Sequence, residues 1–329
     1  MRYKSEAMGA SKRFLMLMGV LFAGSAFANS PVILFPSVGT PHRVTVSGRV
    51  LKSAPTQGSS IFSKNLRRLL MPNWEGASVE VRLLGQALKT VSGADGHFEV
   101  TFLSPEGFPL GVARAEAKVA GRPAAGATVN VTDPDAPFMV ISDFDDTLAH
   151  THVTSKRALF KAALLQDETS QEVIDGMSVF MNCLAERKES RPAFALVSGS
   201  PVQYAPRVEA FLNRHRFPLF GLYLRDLGPS TLSDYKQPVI RALLKAMPHP
   251  VVLVGDSGEH DPEVYAQIRS EFPDRVKAIF IRDAGHADDL KRFEKMTLFK
   301  TADQAAQVAE AAELMPAGCY AKTHADKKQ

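Results

Sequence analysis

The strongest constraint on what this chain can fold into is a change of pattern partway along it. After the Pro/Asp-rich junction "TDPDAP", short continuous apolar runs, "FMVIS", "FALVS", "LFGLYLR", "PVVLVGD" and "KAIFIRD", alternate with the helical patterns "VFMNCLAER", "RVEAFLNRH", "VIRALLKAM" and "EVYAQIRSEF". Runs of strand length that are apolar throughout must be covered on both faces. The second half is therefore predicted to be α/β, with a Rossmann-like doubly wound parallel sheet. Such sheets bind ligands outside the carboxyl ends of their strands. The polar residues that stop the apolar runs are thus the candidate site.

The preceding stretch has a different grammar. Between about Val44 and Val131, "RVTVSGRV", "ASVEVRLLG", "HFEVTF" and "ATVNV" alternate apolar and polar residues, which predicts a small antiparallel β-sandwich. "IFSKNLRRLLMPNW" interrupts it. On a helix, Ile61, Phe62, Leu66, Leu69 and Leu70 would share one side and Lys64, Arg67 and Arg68 the other. Two uses are open for residues 61–74: packing on the sandwich, or peripheral contact with an anionic membrane through the apolar side and Trp74.

The first 28 residues read as a secretory signal peptide, with Arg2, Lys4, Lys12 and Arg13 ahead of "FLMLMGVLFAG" and then Ala26-Phe27-Ala28. Export to a periplasmic or secreted location is the corresponding expectation. Removing this leader takes away four basic residues and one acidic one and lowers the formal net charge from +4 to +1, so nothing points to nucleic acid. The remaining divisions are a sandwich domain over 29–135, a catalytic domain over 136–300, and a C-terminal helix and mobile tail, "KTHADKKQ", over 301–329. Cys183 and Cys319 are the only cysteines, which excludes a thiolate zinc cage and leaves one disulfide open.

Four strand-end positions carry chemistry. Asp143-Phe144-Asp145-Asp146-Thr147 follows the first run, where alternate aspartates can face one ligand if a cation relieves their repulsion. A carboxylate set without thiols suits a hard ion, Mg²⁺ foremost. Ser198-Gly199-Ser200 follows the second run and offers a hydroxyl and backbone N–H groups to an anion. Lys236 lies just ahead of a helix that Pro238 is predicted to start. Gly255-Asp256 ends the fourth run, with Asp261 five residues on. Taken singly, Ser200 before Pro201 and Asp261 before Pro262 read as helix caps, and Lys236 as a solvated lysine. Asp146 is out of the alternating frame and reads as a carboxylate supporting the next turn. His150 and His152 lack a third partner for zinc.

In combination these residues resemble the haloacid dehalogenase superfamily, with Asp143/Asp145/Thr147, Ser198, Lys236 and Asp256/Asp261 as its acidic and anion-binding motifs. The phrases "SDFDDTLAHTHVTSKRALF", "VSGSPVQYAPRVEAFL", "LYLRD", "VLVGDSGEHDPEVY" and "AIFIRD" are similar to the catalytic domain of the actin-patch-associated phosphatidate phosphatase family. "NLRRLLMPNWEGASVEV" and "GADGHFEV" are more weakly similar to the small domain that precedes it in bacterial members. The chain departs from the family in having Val202 where a Trp is usual. The resemblance implies Asp143 as nucleophile, Asp145 as acid/base, and Ser198 and Lys236 as phosphoryl ligands. It also implies Mg²⁺ held by Asp143, the main chain of Asp145, and Asp256 or Asp261. The implied substrate is phosphatidate, with small soluble phosphomonoesters as an alternative, and a noncatalytic lipid- or partner-binding protein as a third reading. Lys156 and Arg157, in a segment that would cover the site, are candidates for meeting an anionic substrate.

Overall fold

The computed structural model describes residues 30–53, 72–150, 171–186, 190–226 and 232–328. The leader, residues 61–71 of the amphipathic segment, and His152, Lys156 and Arg157 lie outside the described residues. Before the junction there are eight strands: β1 (Val32–Leu34), β2 (Ser37–Thr40), β3 (Arg43–Val50), β4 (Ser78–Leu83), β5 (Gln86–Val91), β6 (His97–Leu103), β7 (Gly111–Val119) and β8 (Ala125–Val131). They form one hydrogen-bonded sheet, in the order β1-β3-β2-β8-β7-β4-β5 with β6 also on β3, and it is mixed rather than wholly antiparallel as expected. The reason is β2. It runs parallel to β8, pairing Ser37 with Val129, while hairpinning onto β3 through Gly39 and Val44, and so ties the two ends of this half together.

Alternation decides which side chains enter the core. Val44, Val46, Val79, Val81, Phe98, Phe102, Ala115, Ala117, Val129 and Val131 point inward into one apolar cluster, with their sequence neighbours outward. Trp74, at the end of the amphipathic segment, is partly buried against this cluster.

Beyond the junction the five predicted strands form: β9 (Met139–Ser142), β10 (Ala193–Pro201), β11 (Phe220–Arg225), β12 (Val251–Asp256) and β13 (Val276–Arg282). A short β14 (Thr297–Phe299) is added. Their order is β11-β10-β9-β12-β13-β14, every pair parallel, which places the first strand at the centre with the chain winding outward to each side. The helices are α1 (Met177–Ala185), α2 (Ala205–Arg214), α3 (Leu232–Ala246), α4 (Asp261–Glu271), α5 (Ala302–Ala311) and α6 (Cys319–Lys328). Val140, Leu196 and Val252 face α1, α2, α5 and α6, whereas Met139, Ile141, Ala195 and Leu253 face α3 and α4. Both faces are thus covered, as apolar runs without alternation require.

The two sheets meet at β11. Leu222 N–H donates to Pro36 O at 2.8 Å. A Cβ on Gly221 would stand 3.1 Å from Val38 N, so this approach depends on the missing side chain. Arg49 of β3 pairs with Asp226, just past β11, at 2.5 Å.

One expectation needs correction. Pro238 does not begin its helix: α3 starts six residues earlier, and Pro238 sits inside it at the cost of one backbone hydrogen bond. The start of α6 is anchored, because Cys319 and Tyr320 are buried and Cys319 is disulfide-bonded to Cys183 of α1, with 5.9 Å between the Cα atoms. This also closes the question the sequence left open about the two cysteines. Tyr320 packs on Gly176, the residue before α1, where φ is 74° and any Cβ would collide with the Tyr320 hydroxyl. Gly176→Ala is therefore expected to destabilise the fold by about 1–3 kcal/mol, from overpacking and left-handed backbone strain. A urea midpoint equal to that of the parent would contradict this packing.

Candidate active site

The site begins with the two-residue period of an extended chain. Asp143 continues β9, its N–H donating to Val254 O of β12 at 2.9 Å. Phe144 turns into the core, 2% exposed, and meets Phe211 edge-to-face at 5.1 Å between centroids. Asp143 and Asp145 therefore fall on the side away from the core. Asp146 then takes a left-handed conformation, φ 52°, and its N–H donates to Ala149 O at 2.8 Å, which makes it the corner residue of the turn that follows. The Thr147 hydroxyl reaches back to Asp143 Oδ2 at 3.5 Å.

Lys236 enters from the first turns of α3, with only 2% of its side chain exposed. Its ammonium lies 2.9 Å from Asp143 Oδ1, 2.5 Å from Asp261 Oδ1 and 3.4 Å from Glu259 Oε2. Asp256 ends β12, the strand beside β9. Asp261 is the first residue of α4 and is fully buried, and its side chain makes no helix cap: Oδ2 accepts the Asp256 N–H at 3.3 Å and Oδ1 takes Lys236. Reading Lys236 as a solvated lysine, or Asp261 as a simple cap, does not survive this burial.

Asp143, Asp256 and Asp261 each bring a carboxylate oxygen within 4.8 Å of the others. Oδ1 of Asp256 accepts Gly258 N–H at 2.6 Å, while its buried Oδ2 has no hydrogen-bond partner among the described residues. An all-oxygen, buried set with an orphaned lone-pair donor fits a hard divalent cation. The titration behaviour follows the same crowding. Burial pushes Asp143 and Asp261 above the usual carboxylate range, with Lys236 opposing. Burial and the neighbouring Asp261 charge raise Asp256 to about 8. Lys236, which burial alone would depress, is held well above the ordinary lysine value by Asp143, Asp261 and Glu259. Burial raises Asp145 to about 6, against a Ser200 hydrogen bond that favours the ionised form.

Of the residues predicted from sequence, Asp143, Lys236, Asp256 and Asp261 meet directly. Asp145 joins through Ser200, whose hydroxyl donates to Asp145 Oδ2 at 2.6 Å, while Ser200 N–H donates to the fully buried Ser198 Oγ at 3.1 Å. Taken singly, Ser200 reads as a cap, yet the helical turn after it is capped by Pro201. Sequence reasoning misses Glu259 and Arg282. Arg282, the register partner of Asp256, donates to Asp146 O at 2.8 Å and so braces the aspartate loop from β13. Its place as the last basic residue of an apolar strand, parallel to the strand ending in Asp256, is the available signal. His150 is half-buried, with its N–H donating to Glu172 O, and His260 is exposed at the start of α4.

Residues 138–283, which hold every one of these side chains, match the model of the family described as phosphatidate phosphatase APP1, catalytic domain. They are similar to an APP1 catalytic domain. The chain is also similar to phosphatidate phosphatase APP1 of Saccharomyces cerevisiae, 33% identical over 151 residues, and to an uncharacterised protein of Schizosaccharomyces pombe, 28% identical over 153. Each alignment takes in 44% of this chain and 25% of the relative, so the chain spans about a quarter of the length of the relatives it matches. Among solved structures, the Pnkp1/Rnl/Hen1 complex aligns with a TM-score of 0.35 at 19% identity, covering 47% of this chain and 48% of that one, too loose a likeness to bear on function. The expectation of export is corrected here. The APP1 relative is a yeast protein and not an exported one.

Proposed function

We propose that this chain is a Mg²⁺-dependent phosphatidate phosphatase that releases diacylglycerol and phosphate. The observation that carries the reading is Asp143, buried at the tip of the central strand of a segment similar to an APP1 catalytic domain, with Lys236 against one oxygen and two further carboxylates in reach. Asp143 attacks phosphorus in line with the leaving oxygen, forming an aspartyl-phosphate as the ester P–O bond breaks. Asp145 gives its proton to the departing alkoxide; its raised pKa, about 6, keeps part of it protonated near neutrality. It then takes a proton from the water that attacks the aspartyl-phosphate, which frees phosphate and restores both carboxyls. Lys236 and Ser198 hold the remaining phosphoryl oxygens. Asp143, Asp256 and the main chain of Asp145 would hold Mg²⁺, with Asp261 committed to Lys236. The ion, when bound, would neutralise charge between the attacking carboxylate and the phosphoryl group. The arrangement is the one the haloacid dehalogenase resemblance implies.

Phosphate release from phosphatidate in mixed micelles, and from a panel of soluble phosphomonoesters, tests the reading. Turnover of phosphatidate in Mg²⁺, falling about 100-fold or more in excess chelator, is the expected result. Turnover of soluble esters alone would overturn the lipid substrate. Absence of Mg²⁺-dependent turnover of any ester would overturn the enzyme reading altogether.

A further inference from the structure

Arg292 stands on a short helical turn, Leu290–Phe293, beyond the family-matched residues and after the last strand-end motif. Its guanidinium reaches back to the loop between Asp256 and Asp261. Nη1 donates to Ser257 O at 3.1 Å and Nη2 to Glu259 O at 2.9 Å, so one planar group binds the carbonyls on either side of Gly258. Nη1 also donates to His286 O at 3.3 Å. The guanidinium is itself oriented by Glu263 of α4, with Nε to Oε1 at 2.5 Å and Nη2 to Oε2 at 3.0 Å. Gly258 is the residue whose N–H holds Asp256 Oδ1, which leaves Oδ2 as the unpartnered oxygen of a carboxylate grouped with Asp143 and Asp261. Even a methyl group on Gly258 would crowd Oδ1, with 2.9 Å between them. Glu259, next in the loop, completes the ring of carboxylates around Lys236.

We propose that Arg292 is a positioning residue for the proposed cation site: it fixes the Ser257–Glu259 backbone and so aims Asp256, without itself touching metal or substrate. The geometry needs a guanidinium. A lysine carries one compact ammonium and cannot span two carbonyls while pairing in parallel with a carboxylate. The proposal rests on the cation-dependent reading of the site, and the experiment separates the two. Arg292→Lys and Arg292→Ala are compared with the parent by calorimetric titration with Mg²⁺ alone, by kcat and KM on phosphatidate, and by thermal unfolding. In both variants Mg²⁺ affinity is expected to fall about tenfold or more and kcat to fall with it, while KM changes little and the folded fraction at assay temperature stays that of the parent. Unchanged Mg²⁺ affinity in a folded variant overturns the proposal. So does a loss of activity that tracks only the loss of folded protein, or full activity in the lysine variant. Mg²⁺ binding that weakens in the variants while the parent hydrolyses no ester would uphold the positioning role and overturn the phosphatase reading alone.

Discussion

Asp143→Asn is expected to lower phosphate release by roughly four orders of magnitude or more while leaving the chain folded. The amide has the shape of the carboxylate but cannot attack phosphorus, so no covalent intermediate forms and neither displacement proceeds. The fold is expected to tolerate the change because Lys236 keeps its other partners, Asp261 at 2.5 Å and Glu259 at 3.4 Å, and one of several crowded acidic groups becomes neutral. Acid-quenched digests of the parent, taken during turnover, should carry phosphate on the peptide containing Asp143, and those of the variant should not. A folded Asp143→Asn variant that retained more than about a hundredth of parental turnover would remove Asp143 as nucleophile.

The core of this site was legible because it is built from strand ends. An apolar run ending in a polar residue marks both the burial and the exit point of a parallel strand, so Asp143 and Asp256 both fall at the carboxyl edge of the sheet on pattern alone, whereas the adjacency of β9 and β12 is a matter of strand order that no local pattern gives. Lys236 was legible as a site residue but not in its setting, since a proline reads as a start and here sits mid-helix. What stayed hidden is the bracing. Ser200, Glu259, Arg282 and Arg292 act through hydrogen bonds between segments distant in sequence, and their residue types are ordinary for turns and strand ends. The N-terminal half shows the same limit. Alternation found β3, β4, β6 and β8, but β5 exposes most of its residues and β7 alternates with alanines, so neither carries a strong periodic signal. The β2–β8 pairing that makes this sheet mixed joins residues about ninety positions apart, and no local pattern encodes it.

Lys236→Met should give the largest stability change of any single substitution at the site. In the parent, one ammonium with 2% of its side chain exposed compensates Asp143, Asp261 and Glu259. Methionine fills the same channel but leaves those carboxylates facing one another in a desolvated space. Removing one partner from a buried ion cluster typically costs about 3–5 kcal/mol, because the remaining charges can neither find a counter-ion nor regain water. The sign of the pH dependence follows from the acids. Asp143 and Asp261 already bind protons more tightly folded than unfolded, and Asp256 does so up to about 8; without Lys236 that difference widens. The folded variant then binds more protons than the unfolded chain above the ordinary carboxylate range, so its stability must fall as pH rises toward those folded values and recover as pH drops. The parent shows the same trend more weakly, since the raised pKa of Lys236 keeps its stabilising charge in place below the ordinary lysine value and loses it only as pH rises through the raised one. Added Mg²⁺ should restore part of the variant's stability, by placing positive charge among the same oxygens, but not its turnover, because a ligand for the phosphoryl group has gone. Chemical denaturation at about pH 5.5 and pH 8, with and without Mg²⁺, reads all three effects. A variant as stable as the parent at the higher pH without Mg²⁺ would mean that Lys236 is not the charge that holds these carboxylates together.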